Sequence, residues 1–334
     1  MERINNAMKI TIAVPVYGVE KYVGKCAESI FLQDYENLEI LFINDCSPDN
    51  SVEEIRKCLQ QYPYRTEQTR IINLPENKGL PAARNLAVQL ATGDFIFHVD
   101  ADDFIEKNAI SSLVSEQIAT NADLVVGNYI RHAFGKTTLV RYLDISKTKE
   151  NIVIDCLDDK TSQAVWSILI RRRIYLDYHI KADESYAIGE DWQVSPLLLF
   201  HAKKIAYVDK VVYHYQLSRP DSITISSQES FSKKKNRLIC YVKTMNHLLE
   251  SFKDKGKTYL DVIFRKKATL VQDAMIYCCK DRDKKAFYDM LLELQSIDAL
   301  YLSALGDTNF IVSALKRNYY SMLFLLWMKN SFHG

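Results

Sequence analysis

Two short acidic runs hold the residues of this chain best suited to chemistry. One is Asp100-Ala101-Asp102-Asp103, directly after the apolar run Phe95-Ile96-Phe97-His98-Val99; the other is Glu190-Asp191, about ninety residues further on. The first puts several carboxylates where a buried strand leaves a sheet, and such a cluster is costly unless a cation neutralises it. A divalent metal there can bridge a diphosphate, because oxygen-ligated Mg²⁺ usually takes only one or two carboxylates and completes its shell with substrate phosphates. The distant pair can supply a base. Metal, diphosphate and base together point to transfer of a group away from a nucleotide.

Each feature also has a plainer reading. A lone Asp-x-Asp occurs in many solvated turns. Asp45 serves equally as a strand-end turn residue or helix cap, since Ser47-Pro48-Asp49 follows. Glu190-Asp191 can cap a helix over Val194–His201 with Trp192 as core. His214 reads more readily as a satisfied strand histidine than as a third metal ligand. His98 reads as structural, and Trp166 as core or as the wall of an acceptor cleft.

The elements that must position these residues alternate through the first 130 positions. Ile10–Val16 and Leu38–Asn44 are near-continuous apolar runs, as expected of strands buried on both faces. Between them, Glu20–Gln33 places Val23, Ala27, Ile30 and Phe31 at helical spacing. Ser51–Gln61 is a helix with Ser51 as expected N-cap and Glu54 three residues on. A strand over Arg70–Leu74, a helix from Leu80 with Pro81 at an early position, a strand over Asp94–Asp100, a helix over Lys107–Ala119 and a strand over Ala122–Asn128 follow. Such alternation predicts an α/β fold with a mainly parallel central sheet flanked by helices. Ligands in these folds sit at the carboxyl ends of the strands, where Asp45 and Asp100 both fall. The stretch from 131 to 225 is less regular: Val165–Tyr175 reads as a helix or strand–helix junction, Val194–His201 as helix and Ile205–Tyr215 as strands. All seven prolines lie at or before Pro220, and Phe231–Phe252, Lys257–Cys279 and Asp283–Leu294 read as helices of a C-terminal extension.

Five segments fall in a telling order: Val14-Pro15-Val16-Tyr17-Gly18, Asn44-Asp45-Cys46-Ser47, Asn77-Lys78-Gly79 through Arg84-Asn85, His98-Val99-Asp100-Ala101-Asp102-Asp103, and Glu190-Asp191. Their order and spacing resemble the family 2 glycosyltransferases, inverting enzymes of the GT-A (nucleotide-diphospho-sugar transferase) fold, over residues 9 to about 225. Each motif alone is modest; five in order are specific. The resemblance implies a glycosyltransferase domain over 1–225, with a nucleotide-binding half at about 9–130 and an acceptor half at about 131–225, ahead of a mostly helical region over 226–334. It further implies that Pro15, Val16 and Tyr17 lie under the nucleoside and that Asp45 accepts the uracil imide hydrogen. Lys78, Gly79 and Arg84 would flank the nucleotide, and a helix start beside a diphosphate makes independent physical sense. Asp100, with Ala101 beside it, would sit on the ribose side, Asp102 would ligate Mg²⁺ or Mn²⁺, and Asp191 would be the general base with Glu190 next to it. The sequence departs from the family pattern at Asn44, often a second acid, and at Gln216, often an arginine for which Arg219 could substitute. The donor implied is a nucleotide-diphospho-sugar, most simply a UDP-sugar, and the acceptor a hydroxyl of a saccharide or lipid-linked saccharide. A catalytically inactive nucleotide-sugar-binding or scaffolding protein of the same fold is the alternative.

Composition bounds the rest. A net charge of +1 over 334 residues is too balanced to suggest nucleic acid as the main partner. Seven cysteines without Cys-x-x-Cys spacing read as reduced thiols. Val14-Pro15-Val16-Tyr17-Gly18 is not the Gly-rich turn a nicotinamide dehydrogenase or nucleotidyltransferase needs. Met1–Met8 has no apolar core for a signal peptide, so the expected location is cytoplasmic. Between Gln228 and Lys285 stand fifteen Lys/Arg against seven Asp/Glu, and Ile311–Trp327 is apolar and aromatic but too short to span a bilayer. These two features suggest peripheral contact at the cytoplasmic face of a membrane; a solvated charged face with a terminal helix docked on the core is the plainer account. The sugar, the acceptor linkage and the oligomeric state are not encoded in any readable motif.

Overall fold

The computed structural model describes residues 8–133, 135–144, 146–186, 188–217 and 230–296. Arg219 and the apolar end Tyr319–Trp327 lie outside the described residues. The chain divides into two compact units, Met1–Ile225 and Ser226–Gly334.

The first unit is built on one sheet. Strands β1 (Ile10–Val16), β2 (Leu38–Asn44), β3 (Thr69–Asn73) and β4 (Phe95–His98) pair in parallel in the order β3-β2-β1-β4. They are joined by α1 (Val23–Phe31), α2 (Ser51–Gln60) with a 3₁₀ turn at Pro63–Gln68, and α3 (Leu80–Leu90). Every residue of β2 is buried, as the uninterrupted apolar run requires of a strand covered on both faces. The two-residue β5 (Phe104–Ile105) and α4 (Ala109–Thr120) follow.

Beyond β4 the sheet turns mixed. β6 (Leu124–Ala133) forms a hairpin with β7 (Lys136–Val140); α5 (Lys149–Leu157), β8 (Ile168–Arg171), α6 (Arg172–Asp177), α7 (Glu190–His201) and β9 (Ile205–Gln216) complete the unit. β8 runs antiparallel to both β4 and β6, and β9 runs parallel to β6 and antiparallel to β5. The mainly parallel expectation therefore describes the first four strands, and the second half is mixed. β6 and β9 approach closely: a Cβ on Gly127 would lie 2.4 Å from a Val212 methyl, so only glycine fits beside the bulge.

The helix boundaries read from sequence hold to within a few residues, with one correction of detail. Asn50, not Ser51, is the N-cap of α2. Ser51 Oγ instead accepts the Val19 N–H at 3.1 Å and contacts Asp49 at 2.5 Å, tying the loop after β2 to the loop after β1.

The second unit contains α8 (Phe231–Phe252), α9 (Lys257–Lys280) and α10 (Lys284–Gln295). Ser230 and Asp283 cap α8 and α10 through their side chains. Val242, Met245, Leu248, Phe252, Ile263, Val271, Met275 and Phe287 form its buried face. Among the described residues, no helix is long and apolar enough to cross a membrane.

Candidate active site

The carboxyl edge of the parallel strands collects the segments singled out from sequence. Val16 ends β1 fully buried, and the next residue, Tyr17, is half exposed. Asp45 follows β2 and is buried, its backbone N–H donating to the Val16 carbonyl at 3.0 Å. Its carboxylate accepts the backbone N–H of Lys78 at 2.7 Å and of Gly79 at 2.8 Å, one on each oxygen. Asp45 thus holds the loop that leads into α3, and Gly79, at φ +86°, supplies a turn that side chains resist. Asn44, at the position of the family's second acid, donates its amide to Asn73 Oδ1 at 2.8 Å and accepts the Ser47 N–H at 2.9 Å. A carboxylate could not donate that first bond.

The turn Asp100–Asp103 leaves β4 and is fixed from below. Asp103 is buried, accepting the Tyr213 hydroxyl at 2.8 Å on one oxygen and the Gln216 N–H at 2.7 Å on the other. The Tyr213 hydroxyl also accepts the Asp100 N–H at 3.0 Å, and the Asp103 N–H closes the turn on the Asp100 carbonyl at 3.0 Å. Burial, followed by the charges of Asp102 and Asp100, pushes the Asp103 carboxyl well above the usual carboxylate range. Asp103 is spent on architecture, whereas Asp100 and Asp102 are partly exposed.

Arg84 joins this turn to the second acidic run. It lies on α3, buried, and donates Nη2 to Asp100 Oδ1 at 2.6 Å. Its Nη1 donates to Glu190 Oε1 at 2.8 Å and to Asp191 Oδ1. One guanidinium therefore binds three carboxylates that sequence alone leaves separate. Glu190 and Asp191 occupy the first turn of α7, where the helix N-terminus favours anions. Burial raises both carboxyls, most strongly Asp191, and Arg84 opposes that shift. Desolvation makes Asp191 a stronger base than an exposed aspartate, while the guanidinium favours its ionised form. His98, behind this group, is held neutral: burial and then Arg84 push it down to about 3, and its Nε2 meets the Tyr175 hydroxyl at 3.2 Å.

His214 sits on β9, stacked on Phe104 at 4.2 Å, with Nε2 2.8 Å from Glu106 Oε1 and Nδ1 3.0 Å from His132 Nε2. Both ring nitrogens have protein partners, so ligating a metal would require one contact to break. Trp166 is buried and stacked on Tyr213 at 4.6 Å, as the core reading expects. Among the described residues no group of three or more His, Cys, Asp or Glu side chains is arranged to hold a metal ion. One carboxylate from the turn is compatible with an oxygen-ligated cation that takes most of its shell from phosphates and water.

Sequence reasoning missed the reach of Arg84 to Glu190 and Asp191, and the part played by Tyr213 and Asp103. The only hint was a third carboxylate after Asp-x-Asp, one more than a metal needs.

Comparison with known proteins bears on this geometry. The model described as Glycosyl transferase family 2 matches residues 11–179. Glycosyltransferase GlyA of Streptococcus pneumoniae is 30% identical over 225 residues, which is 63% of this chain and 31% of that protein. The chain spans less than two thirds of the length of the first curated relatives it matches. Among solved structures, S. aureus TarS 1-349 in complex with UDP-GlcNAc superposes with a TM-score of 0.70 at 17% identity, covering 95% of this chain and 90% of that one. The mannosyltransferase PcManGT of Pyrobaculum calidifontis, in complex with GDP-Man and Mn²⁺, gives 0.55 at 13% identity, covering 95% and 89%. At such identities these two likenesses show the fold, with its helical C-terminal part.

Proposed function

Because the chain belongs to glycosyl transferase family 2, we propose that it moves a sugar from a nucleoside diphosphate, UDP in our reading, to a hydroxyl of a saccharide or lipid-linked saccharide, with inversion at the anomeric carbon. The observation that carries this reading is the Arg84 junction, which sets Asp191 of α7 beside the Asp100–Asp103 turn. The acceptor oxygen would attack the anomeric carbon from the face opposite the diphosphate, and Asp191 would take the hydroxyl proton. The bond from that carbon to the diphosphate oxygen breaks and its electron pair stays on the diphosphate. One displacement suffices, and no covalent sugar–enzyme bond is required.

Asp102 would hold a divalent cation together with the diphosphate, and that cation would offset the charge the leaving group develops. Asp45 would accept the imide N–H of uracil on a remaining lone pair, its two oxygens already fixed by Lys78 and Gly79. Support for UDP comes from the TarS complex and from this carboxylate; the PcManGT complex shows that the same fold elsewhere takes a GDP-sugar. Arg219 and His214 are not needed by this scheme.

The test is turnover of UDP-sugars with Mn²⁺ by the wild-type chain and by Asp191→Asn. Transfer or slow donor hydrolysis that the variant loses, with UDP still bound, supports the reading. Donor binding without turnover in the wild type, under every acceptor tried, would favour the inactive binding protein instead.

A further inference from the structure

One end of the helical unit gathers charge around an exposed ring. The N-terminus of α8 lies against the C-terminus of α9, because buried Lys235 contacts both Asp281 and Asp283 at 2.6 Å. Phe231, the first residue of α8, is 52% exposed and packs 6.3 Å from Tyr277 of α9. Lysines flank the two rings: Lys280 Nζ is 5.7 Å from the Phe231 ring and 5.0 Å from Tyr277, and Lys234 Nζ is 5.8 Å from Tyr277. Residues 231–237 and 277–285 hold eight Lys/Arg and two Asp/Glu, and the two acids are those bound by Lys235. Lys233, Lys280, Arg282, Lys284 and Lys285 are exposed.

Lys280 gives the Phe231 ring a weak cation–π contact, yet about half of the ring's surface stays in water beside a cluster of exposed cations. The pattern fits a partner that is anionic at its face and apolar just beneath, which is the boundary of a bilayer containing acidic lipid. A nucleic acid would satisfy the charge but gives no role to an apolar ring projecting from a helix end, beyond a single base stack. We propose that the α8–α9 end of the helical unit is a docking face for an anionic membrane surface, with Phe231 entering the headgroup layer and the surrounding lysines and arginines meeting lipid phosphates. The residues of this face all lie among the described ones.

The experiment uses the full chain and vesicles of phosphatidylcholine with or without phosphatidylglycerol. Wild-type protein should co-sediment with the anionic vesicles and not with pure phosphatidylcholine, and should release as salt rises and the screening length shrinks. Phe231→Ala should weaken binding several-fold. The combined Lys233→Glu and Lys280→Glu variant should weaken it by at least about tenfold, since each basic residue near such a surface contributes roughly a further fivefold. Both variants should keep the wild-type melting temperature and UDP affinity, which separates failure of this proposal from failure of the proposed activity. No binding to anionic vesicles by the wild type, or full binding by both variants, overturns the assignment. So does tighter binding to duplex DNA or RNA than to vesicles at equal salt.

Discussion

Arg84 Nη2 meets Asp100 Oδ1 at 2.6 Å, so the side chain that faces α7 also restrains the acidic turn after β4. Three carboxylates share one buried cation. Arg84→Met should leave Asp100, Glu190 and Asp191 uncompensated and cost about 3–5 kcal/mol, the range seen when one partner of a buried ion pair is removed. Arg84→Lys keeps the charge but lacks the forked donors, so it should fall between the two in urea denaturation. Equal stability of Arg84→Met and wild type would show that the junction does not matter.

Asp191→Asn removes the proposed base with little change of shape. The rate should fall by on the order of 10²–10⁴ while UDP affinity stays within a few-fold of wild type. Calorimetry beside single-turnover kinetics separates the two quantities. Affinity falling as far as rate would make Asp191 a donor-binding or structural residue.

The raised carboxyl of Asp191 predicts a direction in pH. The ionised form is the active one, so the acid limb of kcat should lie above the ordinary aspartate range near 4 and vanish in Asp191→Asn. Stability should run the opposite way. Carboxyls raised in the folded state bind more protons there than in the unfolded chain, so Glu190 and Asp191 favour folding less as pH climbs from the unfolded value through the raised one. Wild type and Asp191→Asn compared in denaturant across that window should converge at its acid end. Parallel curves would dismiss the shift.

Tyr213→Phe deletes one hydroxyl and leaves one oxygen of buried Asp103 and the part-buried Asp100 N–H without that partner, for about 1–3 kcal/mol. Because the turn carries Asp102, the Mn²⁺ concentration for half-maximal turnover should rise in the same variant. Asp102→Asn should abolish the metal dependence altogether while leaving the melting temperature near wild type. An unaltered Mn²⁺ response in Asp102→Asn removes that residue from the metal site.

Asp45 predicts nucleotide choice. UDP should raise the melting temperature and GDP should not, since a site built around one hydrogen bond discriminates strongly against ligands lacking the partner. Asp45→Ala should weaken UDP and also free the loop over residues 76–79, visible as faster amide exchange at Lys78 and Gly79. Tight GDP binding by the wild type would end the uracil assignment.

What sequence revealed and what it hid divide along physical lines. β1, β2 and α8 were legible because long apolar runs or a clear helical period dictate them. The β6–β7 hairpin and α5 were not: β7 is a short strand with an exposed face, and α5, no shorter than α1, has a weaker apolar period. Antiparallel insertion of β8 between β4 and β6 is a matter of long-range pairing that no local pattern encodes. The site followed the same rule. Asp45, Asp100 and Asp102 stood out because they lie just past strand ends, whereas the contact between Arg84 and Asp191 spans 107 positions. Tyr213 carried no signal because a tyrosine in a strand is ordinarily core, which here it also is.

The reach of Arg84 also orders events during synthesis. When the ribosome has finished β4, the guanidinium can meet Asp100, but Glu190 and Asp191 emerge only about ninety residues later. Until then a cation destined for the interior lacks two of its three counter-charges, and α3 has reason to stay loosely seated. A nascent or recombinant fragment ending near residue 130 should therefore collapse without acquiring a fixed nucleotide cleft, even though it contains Asp45, Lys78, Gly79 and the whole acidic turn. Restoring α7 in a longer fragment should be what fixes that cleft, because α7 carries Glu190 and Asp191.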